Sequence, residues 1–165
     1  KIDGFPFSIV GYNTVDVNSA LKTSLYPELK FTNRLAYSSQ LLISRKFSES
    51  FSFQVAPIYI HKNFYDGELD QEDLYLIGSG ARYKLSKRLS VNLEYAARLN
   101  VDEKISKSPY QNPLTIGLDI ETGGHVFQMV FSNSQPMNDV ITFSNASGDW
   151  NGGAIYFGFN MYRVF

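Results

Sequence analysis

The feature that most restricts this chain is a recurring one: segments of about ten residues in which apolar and small or polar side chains alternate. In RLSVNLEYAARLN, Leu89, Val91, Leu93, Tyr95, Ala97 and Leu99 share one face, and Ser90, Asn92, Glu94, Ala96 and Arg98 share the other. A period of two is that of a β-strand, and such a strand needs an apolar medium on one side only. Comparable segments run over 5–16, 34–46, 51–62, 73–85, 113–122, 125–134 and 153–165, which with 89–99 predict eight strands. The last, GGAIYFGFNMYRVF, sets Ile155, Phe157, Phe159, Met161, Arg163 and Phe165 against Ala154, Tyr156, Gly158, Asn160, Tyr162 and Val164.

Alternation alone fits a soluble sandwich or a transmembrane barrel, and the connections discriminate between them. KFSESF, KLSKRL and ETGGHV are tight turns built on Ser, Lys and a Gly pair, whereas the links near 17–33, 63–72, 100–112 and 135–152 are long and polar. A sandwich has no reason to alternate short and long connections strictly. A membrane barrel does, with short turns on the periplasmic rim and long loops on the other. The expected fold is therefore all-β, an antiparallel up-and-down transmembrane β-barrel in the bacterial outer membrane with its C-terminus periplasmic.

Composition enters mainly by exclusion. The 165 residues form one domain, 1–165, and a net charge of -1 gives no electrostatic footprint for nucleic acid. Cysteine is absent, which removes disulfide scaffolds, thiol catalysis and cysteine-ligated metals. No apolar stretch approaches the roughly 18 residues of a membrane helix, but strands that alternate escape that criterion. Aromatic residues are 15% of the chain. Phe47, Phe51, Tyr83 and Phe165 fall near the expected periplasmic ends and Tyr59, Tyr75 and Phe131 toward the other interface, as interfacial girdles require.

LLISRKFSESFSFQVAPIYIHKN, GSGARYKLSKRLSVNLEY, GLDIETGGHVFQMVFSNSQPM and GDWNGGAIYFGFNMYRVF together resemble a Bacteroidota family of outer-membrane β-barrel proteins described only as a domain of unknown function. The resemblance covers 5–165 and implies signal-peptide export, insertion by the barrel-assembly machinery and no known reaction. Members of that family carry further sequence before FPFSIVGYNTVDVN, about four strands' worth, which implies that this chain is the C-terminal part of a barrel of about twelve, the alternative being a shortened member that closes at eight. KIDGFP, without a start methionine, agrees with that expectation. In such barrels a terminal aromatic on an alternating last strand is the assembly signal, here Phe157, Phe159, Met161 and Phe165, and that strand pairs with the first to remove the open edge. Arg163 shares the lipid-side parity, but near the strand end a cation costs about 0–1 kcal/mol.

Several polar residues take the inward parity. Arg82, Glu94, Arg98 and Asp119 are expected to form a lumen ionic cluster, either as a structural network that pairs interior charges or as a selectivity constriction in a lumen wide enough for water. His61 and His125 fall at opposite ends of the lipid-side face, so they cannot share a metal, and no cofactor is expected. A lipid-modifying enzyme would have to run through His61 with a rim serine; no motif ties them, and the chain is not expected to be an enzyme. GSGAR lacks the Lys-Ser/Thr and the following helix of a phosphate loop, and Gly78 and Gly80 instead make room for bulky interior side chains. The run Asp66, Glu68, Asp70, Glu72, Asp73 reads as a solvated loop or as a cation site shared with lipopolysaccharide phosphate. The expected function is a porin-like passive channel, with a structural or accessory subunit of another outer-membrane protein complex as the alternative. Expected partners are outer-membrane lipid and lipopolysaccharide, and the assembly machinery during insertion.

Overall fold

A computed structural model describes residues 6–101, 105, 108–136 and 138–163. The eight strands are present: β1 Ser8–Val17, β2 Leu35–Lys46, β3 Phe51–Lys62, β4 Asp73–Lys84, β5 Leu89–Arg98, β6 Leu114–Thr122, β7 His125–Ser132 and β8 Tyr156–Arg163. They form one antiparallel sheet in chain order, each strand paired with its neighbours in sequence. The sheet curls without closing. β8 pairs with β7 alone and β1 with β2 alone, so the expected pairing of last strand with first is not made among the described residues, and both edges keep unpaired backbone groups.

Connection lengths follow the local chemistry. In the turns 47–50 and 85–88 a serine hydroxyl does the same job twice: Ser48 Oγ accepts from the backbone N–H groups of Ser50 (3.2 Å) and Phe51 (3.0 Å), and Ser86 Oγ from Arg88 (3.2 Å) and Leu89 (3.1 Å). The third short turn is a two-residue hairpin, whose right-handed strand twist demands positive φ at both centres. Gly123 (55°) and Gly124 (91°) supply it. These turns share one rim, and the long connections 18–34, 63–72, 99–113 and 133–155 share the other. The β2–β3 ladder is interrupted between the pairs Gln40↔Ile58 and Ile43↔Val55, where Pro57 has no N–H to donate.

Successive side chains point to opposite faces of the curl. The convex face carries Ile77, Leu93, Tyr95, Ile116, Phe131, Phe157, Phe159 and Met161, all exposed. Aromatic contacts gather toward its ends. At the short-turn rim Phe47 and Phe51 lie 5.9 Å apart with Arg45 5.2 Å above Phe47, and toward the long-loop rim Tyr59 stacks on Tyr75 at 5.1 Å. Phe131 meets Phe157 at 5.3 Å. Phe165 lies outside the described residues.

On the concave face the core departs from the expected polar interior. The long-loop half of that face is apolar, with Ala56, Ile58, Ile60, Leu74, Leu76 and Ala96 nearly or wholly buried. What covers them is a helix that strand periodicity did not announce: α1, Asp139–Ser144, inside the longest long-rim connection. Its Val140 is 2% exposed and joins the same cluster, with Phe143 packed against it. Gly78 permits this packing, because a Cβ there would sit 3.0 Å from Ile58 Cδ1.

Candidate functional site: the concave face and its inward-folded loop

The loop 133–155 is fastened at several points. Asn138 caps α1, its Oδ1 accepting from Ile141 N at 2.9 Å. From β2, Gln40 Nε2 donates to Asp139 Oδ2 at 3.2 Å; from β5, Arg98 Nη2 donates to Ser144 O at 3.0 Å while its Nη1 donates to Tyr110 O at 3.1 Å. The helix therefore bridges the curl from β2 to β5. Beyond it, Trp150 Nε1 donates to Leu114 O at 3.2 Å, and Gly148 packs so closely that a Cβ would lie 2.5 Å from Ala154 O and 2.8 Å from Asn133 Cα. Only glycine fits that approach.

Two cavities lie along the middle of the concave face, and a third, of about 600 Å³, opens at its long-loop end between Asp16, Ala36, Lys62 and α1. One, of about 390 Å³, runs under α1 and is lined by Tyr12, Gln40, Gln54, Glu94, Thr115 and Asp139 among others. The second, of about 340 Å³, lies nearer the short-turn rim and includes Arg82, Asn92, Asp119 and Gln128. Gln54, Gly80 and Glu94 border both, so the two adjoin along the strands.

The four inward charges predicted as one cluster separate into three places. Arg82 and Asp119 meet, Arg82 Nη2 lying 3.3 Å from Asp119 Oδ2 and 3.3 Å from Ser90 Oγ. Register explains the contact: Arg82 faces Asn92, Ser90 faces Asp119, and the diagonal across β5 is short enough for an arginine. Asp119 Oδ1 accepts from Gln128 Nε2 at 2.8 Å, and Gln128 Oε1 accepts from Asn160 Nδ2 at 3.1 Å, so the network reaches β8. Glu94 sits opposite Gly80 and projects into the shared boundary of the cavities instead of joining the pair. Arg98 is at the other end of β5, held by loop carbonyls.

The acidic run after β3 is solvated only in part: Asp66, Glu68 and Glu72 are exposed, and Asp70 and Asp73 are engaged. Asp70 forms a buried ion pair with Lys62, both under one-tenth exposed. Asp66 closes the turn locally, its Oδ1 accepting from Glu68 N at 3.0 Å. Asp73 Oδ1 accepts from Tyr59 Oη at 2.7 Å and lies 2.9 Å from His61 Nδ1. The other imidazole nitrogen, Nε2, is 2.8 Å from Asn63 Oδ1, so both ring nitrogens of His61 are engaged without a serine. His125, facing Thr122 and Arg163, is at the opposite rim. Among the described residues no group of three or more His, Cys, Asp or Glu side chains is placed to hold a metal ion.

Sequence reasoning did not anticipate Asp139, Tyr12 and Gln40 as cavity residues. The available signal was short: Asn138 as a cap, then Val140, Phe143 and Ser144 at i, i+3, i+4 spacing.

No curated protein and no solved structure matches the chain. A family model described as a membrane bound beta barrel domain (DUF5777) matches residues 1–165. With an eight-stranded antiparallel curl whose convex face is mostly apolar and whose concave face carries a charged network, the chain belongs to that family of membrane β-barrel domains.

Proposed function

We propose that the protein is a porin-like passive channel of the bacterial outer membrane, with the short turns and the C-terminus on the periplasmic side. The observation that carries this reading is the pair of adjoining cavities on the concave face, polar along much of their length, behind a convex face whose exposed large side chains are mostly apolar. Lipid suits the convex face and water the concave one. The loop holding α1 folds inward against the strands and narrows the passage without filling it. Further strands at the unpaired β1 and β8 edges complete a barrel of about twelve, a size at which the lumen is no longer filled by side chains. Phe157, Phe159 and Met161 of β8 serve the assembly machinery, and outer-membrane lipid and lipopolysaccharide bathe the girdles.

The test is electrical. The intact, membrane-extracted protein reconstituted into a planar bilayer is expected to give discrete, ohmic conductance steps. A protein that inserts, verified by heat-modifiable gel mobility, yet gives no steps would refute the channel.

A further inference from the structure

We infer that the passage beneath α1 is selective for cations, so that the solutes it favours are small and positively charged. This rests on the channel reading. Among the described residues, the charged side chains bordering the two adjoining cavities are Glu94, Asp119, Asp139 and Arg82, and Arg82 is neutralised by Asp119 at 3.3 Å. Glu94 and Asp139 are left as the unbalanced charges, both lining the 390 Å³ cavity and supplied by opposite walls, one from β5 and one from the inward-folded helix. The other cations of the concave face, among the described residues, lie elsewhere. Lys62 is consumed by Asp70, Arg98 is bound to the carbonyls of Tyr110 and Ser144, and Lys46 and Lys84 are exposed at the short-turn rim, where salt screens them. A cleft lined by one sign of charge between low-dielectric walls concentrates counter-ions. Asp139 is positioned for this role by Gln40, whose amide holds one carboxylate oxygen at 3.2 Å and carries no charge of its own.

The experiment is a reversal-potential measurement in a KCl gradient on the full protein in a neutral-lipid bilayer, followed by the same measurement on Glu94→Gln with Asp139→Asn. Asparagine retains an acceptor for Gln40, so α1 stays seated, and unchanged Trp150 fluorescence checks that it does. The unsubstituted protein is expected to pass potassium over chloride by on the order of tenfold, and the double variant to lose most of that preference while still conducting. Arg82→Gln, which removes the one cation bordering the two cavities among the described residues, is expected to move selectivity the other way. Conduction that favours chloride, or a preference that the double variant leaves unchanged, would overturn the inference and leave the channel standing. Absence of any conductance would overturn both.

Discussion

Asp70→Ala is expected to lower the unfolding free energy by about 3–5 kcal/mol, the largest effect of any single substitution considered. Lys62 at the long-rim end of β3 is 6% exposed and Asp70 is 7% exposed, and each is the other's ion-pair partner. Removing the carboxylate leaves an ammonium in a place water scarcely reaches, and the cost is that of an uncompensated buried charge, not of one lost contact. The damage should spread locally, because Lys62 N also donates to Glu72 O at 2.9 Å and ties the 63–72 connection to β3. Lys62→Met combined with Asp70→Leu removes both charges and is expected to restore most of the stability. Urea unfolding in detergent, followed by circular dichroism, measures all three proteins. A single variant within about 0.5 kcal/mol of the parent would mean that the pair is solvated.

The second large effect concerns the convex face. Leu93 is at the middle of β5, 45% exposed on the apolar side of the curl. If that side meets hydrocarbon, Leu93→Arg costs about 2–4 kcal/mol, the penalty for a cation at the bilayer midplane. Its chain neighbour Asn92 borders the concave cavity, and Asn92→Arg should cost far less because the guanidinium meets water and Asp119. Unfolding and refolding into phospholipid vesicles gives the two values. Water against the convex face would make the Leu93 substitution nearly neutral, as exposed surface changes usually are.

Much of this architecture was legible because β-sheet information is local and repetitive. Alternation located all eight strands, and β3 has the predicted bounds, since Lys62 and Phe51 adjoin unmistakable loop and turn chemistry. The faces followed from parity, and the hairpin turns carried the register far enough to place Arg82 near Asp119. Where reading failed, the missing information was tertiary. A six-residue helix lacks the length to show a periodic stripe or to be stable alone, and α1 exists because Val140 and Phe143 find the apolar patch on β3, β4 and β5. That patch contradicts the rule of a polar interior, and the rule yields because an inward-folded loop supplies the apolar partner. Arg98 was misplaced for the same reason: its acceptors, Tyr110 O and Ser144 O, come from long connections whose path no strand pattern encodes. Asp70 looked like one carboxylate in a solvated run until the fold set Lys62 beside it. The edge pairing of β8 with β1 was inferred from a general property of closed barrels, and the curl leaves both edges single-sided.

The most direct test of the account is accessibility along β5. These 165 residues contain no cysteine, so with the unsubstituted protein as the background control, single substitutions Val91→Cys, Asn92→Cys, Leu93→Cys and Glu94→Cys report on their own positions. In membranes, a small water-soluble maleimide is expected to label positions 92 and 94, whose side chains take the concave parity, and to miss 91 and 93, whose side chains take the convex one and which only a lipid-soluble probe should reach. Equal labelling at all four positions, or labelling confined to 91 and 93, would contradict a lipid-facing convex surface and a water-filled concave one.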